Sequence, residues 1–236
     1  MSNRVPMLIS FSGLDGSGKS THIETLRTAL HSAGLTTRRL AFWDDVVVGV
    51  KYREGFVHKV YNSERGIGQP GRPVRRRDKN MRGWYLTVFR HFLYLLDAMN
   101  LRRVIAREQG LPARDAPDVL ILDRYIYDEL ANLNLHNRLS RGFVRTVGAL
   151  MPRPTVAYLL DADPAEARAR KPEYPLEFME QSRQSYYDLA ALLGTMTLIP
   201  ALGLPQARLR VLKAAERHLS EAGRPVHLAI DNVSAA

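Results

Sequence analysis

A chain of 236 residues, 45% hydrophobic and 25% charged, has the composition of a globular protein with one large core. It has no window of roughly 20 apolar residues, which excludes a membrane-spanning helix, and with no cysteine it can form neither disulfides nor thiolate sites. Its 34 Lys and Arg against 24 Asp and Glu leave a net charge of +10, a field that draws phosphates, nucleotides, nucleic acid or an anionic surface.

Residues 5–12 form an apolar run that ends at Gly13, without the small-residue cleavage site of a secretory signal, so a cytoplasmic protein is expected. Residues 19–33 place Ile23, Leu26 and Leu30 at helical spacing before Gly34, and His22 reads as helix surface. A second strand over 36–43 ends on Asp44 and Asp45, completing an opening βαβ unit. Residues 49–83, rich in Gly, Arg, Pro and Lys, read as an irregular insertion. A long amphipathic helix over 84–107 leads to the apolar strand Asp118–Asp123, which should be central and carries an acid at its end. Then come a helical stretch over 125–150, a strand over 155–160, a helix over 164–171 opened by Pro164, and further helix to 193. A last strand over 196–200 and a helix reaching 222 precede residues 223–236, expected to fray. This alternation predicts a single α/β domain over 1–222 with a parallel sheet.

The segment Gly13-Leu14-Asp15-Gly16-Ser17-Gly18-Lys19-Ser20 satisfies G-x4-G-K-[ST] and lies between a predicted strand and a predicted helix. Glycines there let backbone N–H groups converge on phosphate oxygens at a helix N-terminus. Gly13, Asp15, Gly16, Ser17, Gly18, Lys19, Ser20 and Thr21 are the expected ATP contacts, with Lys19 on the β and γ phosphates and the Ser20 hydroxyl on Mg²⁺. Asp123 stands where such proteins keep a second acid toward the metal; the competing reading makes it the N-cap of a helix starting near Tyr125.

With Asp123-Arg124-Tyr125, Tyr158–Glu166, Glu177-Phe178, Arg183 and Tyr186 added to the loop, the sequence resembles the thymidylate kinase family of nucleoside monophosphate kinases. The resemblance implies a three-layer α/β/α P-loop fold with a five-stranded parallel sheet, a helical lid near 168–177, ATP and Mg²⁺ as cofactors, a nucleotide substrate and a homodimer. It also implies that Asp15 touches the acceptor's sugar, that Asp123 and Arg124 sit by the phosphates, and that Tyr125 lies beside the substrate. Some members carry an arginine right after the loop acid, where this chain has Gly16. Phosphoryl transfer still needs a cation beyond Lys19, so Arg168, Arg170 or Lys171 of the lid should supply it, Arg170 first.

The departures lie on the acceptor side. Where the family has Arg-Glu-Pro-Gly after the second strand, this chain reads Phe42-Trp43-Asp44-Asp45-Val46, and Asp97 is followed by Ala98 instead of Arg. An acid at that strand end can act as general base for a hydroxyl acceptor, so Asp44 or Asp45 marks a second possible chemistry, with a solvated turn as the alternative. Arg90, Tyr94 and Asp97 share one face of the long helix as candidate substrate contacts, or as an internal Arg90–Asp97 network. The basic run at 72–79 fits a phosphate-rich partner or a solvated loop. Three function classes follow: a nucleotide kinase, a regulatory P-loop NTPase and a nucleic-acid binder. The last lacks a recognisable module or stacking platform, and the switch lacks an identifiable residue to orient water.

Overall fold

The computed structural model describes residues 5–47, 84–112 and 114–228; the expected insertion at 49–83 and its basic run at 72–79 lie outside the described residues. Five parallel strands, β1 (Met7–Gly13), β2 (Thr37–Ala41), β3 (Val119–Asp123), β4 (Val156–Leu160) and β5 (Thr197–Ile199), lie in the order β2-β3-β1-β4-β5. β2 therefore pairs with β3 and not with β1, so the opening βαβ unit leaves a gap that β3 fills. β1 is buried along its whole length because both of its faces are covered.

Strand parity builds two cores. Met7, Ile9, Phe11, Val119, Ile121, Val156, Tyr158 and Leu160 face α1 (Lys19–Ser32) and the last helix, Leu204–Glu221. Leu8, Leu40, Leu120, Leu122 and Ala157 face the other layer. That layer comprises α2 (Trp84–Gln109), α3 (Ile126–Leu130) and α4 (Arg138–Leu150). It continues after α5 (Pro164–Arg170) with α6 (Leu176–Leu193); the last helix is α7. The result is a three-layer α/β/α sandwich of the P-loop kinase kind. No helix among the described residues is long and apolar enough to cross a membrane.

Four local expectations are corrected. The helical stretch at 125–150 breaks between α3 and α4, and the Asn137 side chain accepts from Leu139 N–H at 2.9 Å to start α4. β2 stops at Ala41, and Phe42–Val46 close into a wide helical turn that buries Phe42 and Val46. Residues 224–228 are not frayed: Arg224 donates to the Asp118 and Val5 carbonyls at 3.1 Å each, and Leu228 is fully buried. His22 is only 4% exposed, and burial, with Arg208 nearby, pushes its imidazole down to about 4, so it stays neutral at pH 7.

Candidate active site

β1 delivers Gly13 to the centre of the sheet's carboxyl edge, and the loop from Gly13 to Gly18 hands the chain to α1. Gly13, Gly16 and Gly18 hold φ of 141°, 83° and 82°, values that side chains rarely adopt. Space is as tight as conformation: a Cβ on Gly13 would lie 2.3 Å from the Leu160 carbonyl oxygen, and one on Gly16 2.4 Å from that of Ala167 in α5. The loop is thus a backbone cradle of the kind that takes phosphate. Lys19, 8% exposed, turns back into it and donates to the carbonyls of Gly13 at 2.9 Å and Leu14 at 2.7 Å. Burial, reinforced by the Arg124 charge, holds its ammonium down to about 8. Ser20 and Thr21, in the first turn of α1, are exposed.

Across the loop mouth stands Arg124. Its φ of 71° is the left-handed conformation of a non-glycine residue, a strain of about 1–2 kcal/mol, held by its N–H bonding the Phe11 carbonyl at 3.0 Å. The guanidinium pairs with Asp15 of the loop and, at 3.0 Å, with Asp128 of α3. Asp128 is the hub that the sequence reading missed. Its carboxylate also accepts from the Ser12 hydroxyl at 2.7 Å, the Tyr186 hydroxyl at 2.7 Å and the Tyr125 N–H at 3.2 Å, so β1, α3 and α6 all meet on it. An acid five residues after Asp123, in the first turn of a short helix, was the available signal. Tyr125 itself is corrected: fully buried, it donates its phenol to the Pro152 carbonyl at 2.5 Å and stacks edge-on against Tyr127, so its hydroxyl is used inside the core.

Asp123 does not cap α3, which begins after Tyr125; its carboxylate is paired with Arg39 of β2. Among the described residues no group of three His, Cys, Asp or Glu side chains is placed to hold a metal. Ser20 at the start of α1 and Asp123 at the end of β3 are oxygen donors of the type that Mg²⁺ takes one or two of beside substrate phosphates.

α5 rests on the loop through Ala167 over Gly16. At its end Arg170 turns back toward Glu166, with its Nε donating to the Glu166 carbonyl at 3.3 Å, while Lys171 lies 4.0 Å from Asp15 and 3.2 Å from Glu173. Arg183 anchors the following helix to β4 with two 2.7 Å bonds to Asp161. Arg168 is exposed in the last turn of α5.

On the other side, Asp45 accepts from the Ala41 N–H at 2.7 Å and so closes the turn after β2, while Asp44 is exposed. Asp97 is fully buried on α2, with Arg90 and Tyr94 half-buried along the same helix.

No protein-family model matches the chain. The thymidylate kinase of Bifidobacterium longum subsp. infantis is 28% identical to it over 197 residues, covering 78% of this chain and 74% of that protein. That of Solidesulfovibrio magneticus is 28% identical over 205 residues, 78% of this chain and 86% of the relative. That of Chlorobium phaeobacteroides is 27% identical over 223 residues, 89% and 88%. The chain is similar to thymidylate kinases over most of its length. At the carboxyl end of the sheet the phosphate loop meets Arg124 through Asp15 and α5 through Ala167 and Lys171, and the turn after β2 is Phe42–Val46.

Proposed function

We propose that the chain, an ATP-dependent nucleotide kinase, moves the terminal phosphoryl group of ATP onto the phosphate of thymidine monophosphate or a closely related nucleoside monophosphate. The observation that carries this reading is the pairing of a complete phosphate cradle with Arg124, a cation held at its mouth by Asp15 and Asp128. Bound together, ATP and Mg²⁺ supply the activated phosphoryl group and neutralise the charge that spreads over it. The residues Gly13, Asp15, Gly16, Ser17, Gly18, Lys19, Ser20 and Thr21 would hold the donor, with Ser20 and Asp123 toward the metal. Lys19 leaves the Gly13 and Leu14 carbonyls for phosphate oxygens, a better partner for an ammonium than neutral carbonyls. Arg124 steadies the phosphates on the acceptor side, Arg90, Tyr94 and Asp45 border the acceptor, and Asp97, fully buried, supports that side from within α2.

The test is initial rates of ATP consumption with a panel of nucleoside monophosphates and nucleosides. Stimulation by thymidine monophosphate or a sibling monophosphate is expected. Stimulation by nucleosides alone would instead make Asp44 the base for a hydroxyl acceptor, and slow hydrolysis indifferent to every acceptor would mark a regulatory NTPase.

The lid cation is assigned to Arg170. Lys171, already beside Asp15, holds the lid to the loop, and closure brings Arg170 from Glu166 to the transferring group. Arg170→Ala is expected to lower kcat by about 10³ with little change in the KM for ATP, and Lys171→Ala far less. An Arg170→Ala enzyme within a few-fold of wild type contradicts the assignment. A homodimer is proposed through α2, where Val88, Phe92, Leu95 and Met99 expose an apolar stripe at helical spacing that a second copy of the same helix can match.

A further inference from the structure

Asp123 ends β3 on the face that carries α1, because Val119 and Ile121, four and two residues earlier, pack into the α1 core. Ser20, at the start of that same helix, is the other oxygen that would hold a metal bound with the nucleotide there. One oxygen of the carboxylate is already engaged, however, since Arg39 Nη2 donates to Asp123 Oδ2. The contact follows from register. β2 pairs in parallel with β3 so that Arg39 stands opposite Ile121, and a long side chain on that face reaches the next residue of like parity, Asp123. Arg38, of opposite parity, turns instead to Glu108 and the Asp115 carbonyl. The Asp123 side chain is 16% exposed and that of Arg39 40%, so the acid is largely withdrawn from water while its partner sits at the rim and can leave into solvent.

We propose that Arg39 is a positioning residue that holds Asp123 in the place of a divalent cation, and that metal enters only by displacing it. This rests on the kinase reading, in which Asp123 faces the metal of the bound nucleotide. The physical demand is twofold. Without metal, a largely buried carboxylate needs counter-charge, and beside the fields of Lys19 and Arg124 it is Arg39 on the edge strand that bonds it directly. With metal, a guanidinium on the same carboxylate repels the second cation and must move away. Arg39 therefore lowers the metal affinity of the site and ties β2, the strand leading to the acceptor-side turn at Phe42–Val46, to the arrival of the metal-bound donor.

The experiment is Mn²⁺ titration of the whole chain with ADP present, free Mn²⁺ being read by electron paramagnetic resonance. Arg39→Gln is expected to tighten Mn²⁺ binding about fivefold, the scale set by one partly exposed ion pair, and Arg39→Lys to fall between it and wild type. Asp123→Asn should weaken binding, and the Arg39→Gln, Asp123→Asn double variant should bind like Asp123→Asn alone. Unchanged or weaker binding in Arg39→Gln, with Asp123→Asn still weakened, overturns the role of Arg39 and leaves the kinase reading standing. Unchanged binding in Asp123→Asn removes Asp123 from the metal and overturns the proposal, while the kinase reading stands or falls on the acceptor panel.

Discussion

Replacing Lys19 with alanine is expected to cut turnover by about 10²–10³, the loss that follows removal of one donor aimed at developing charge, while the melting temperature stays level or rises. The second half of that expectation comes from burial. The ammonium is held down to about 8 in the folded chain against 10.5 for an ordinary lysine, first by burial and then by Arg124. Between those two values the unfolded state binds the extra proton, so stability rises with pH across that interval. Below about pH 8 the folded chain bears the full cost of a buried charge that only the Gly13 and Leu14 carbonyls offset, and alanine relieves it. Phosphate reverses the preference, because it favours the ammonium. ATP affinity should therefore fall as pH rises past 8, with proton uptake on binding at pH 9 and almost none at pH 7. Calorimetric titration in two buffers of different ionisation enthalpy reads this directly. A Lys19→Ala enzyme at wild-type rate contradicts the role of the loop.

The largest loss of stability is expected from Asp128→Ala. It leaves Arg124 paired with Asp15 but without its second carboxylate contact, and strips the buried Ser12 hydroxyl, Tyr186 hydroxyl and Tyr125 N–H of their acceptor. Breaking a buried, hydrogen-bonded charge pair by removing one partner costs about 3–5 kcal/mol, a large share of a domain's total of about 5–15 kcal/mol. Urea denaturation should show a markedly lower midpoint, and an unchanged midpoint would mean that the network carries no energy. Asp128→Asn keeps the shape but turns an amide toward Arg124, so it should fall between alanine and wild type.

These two residues also mark how far the sequence could be read. Lys19 was legible because the phosphate loop is a local motif: glycine spacing, strand before and helix after are all written between Met7 and Ser32. The parallel sheet was legible for a similar reason, since β3 and β4 are near-continuous apolar runs and β1 is interrupted only by small serines, the pattern of strands buried on both faces. Asp128 was not, because its meaning comes from Ser12, 116 residues before it, and Tyr186, 58 after it, which only the packed fold brings together. The same holds for the Arg39–Asp123 pair, which depends on β2 settling beside β3 instead of β1. His22 misled because one residue at helical spacing does not reveal that α7 will cover it. Tyr125 misled because its neighbour Arg124 turns to the loop acid Asp15, while strand-to-helix geometry turns the Tyr125 ring into the core.

The central claim is that the cradle passes phosphate to a nucleotide and does not merely lose it to water. It is tested most directly by following purified full-length protein with ATP, Mg²⁺ and thymidine monophosphate by phosphorus-31 nuclear magnetic resonance, with Lys19→Ala as the control. The account predicts that ADP and a new nucleoside diphosphate appear in equal amounts, with little free phosphate and no reaction in the control. Free phosphate accumulating at a rate that no nucleoside monophosphate changes would contradict it.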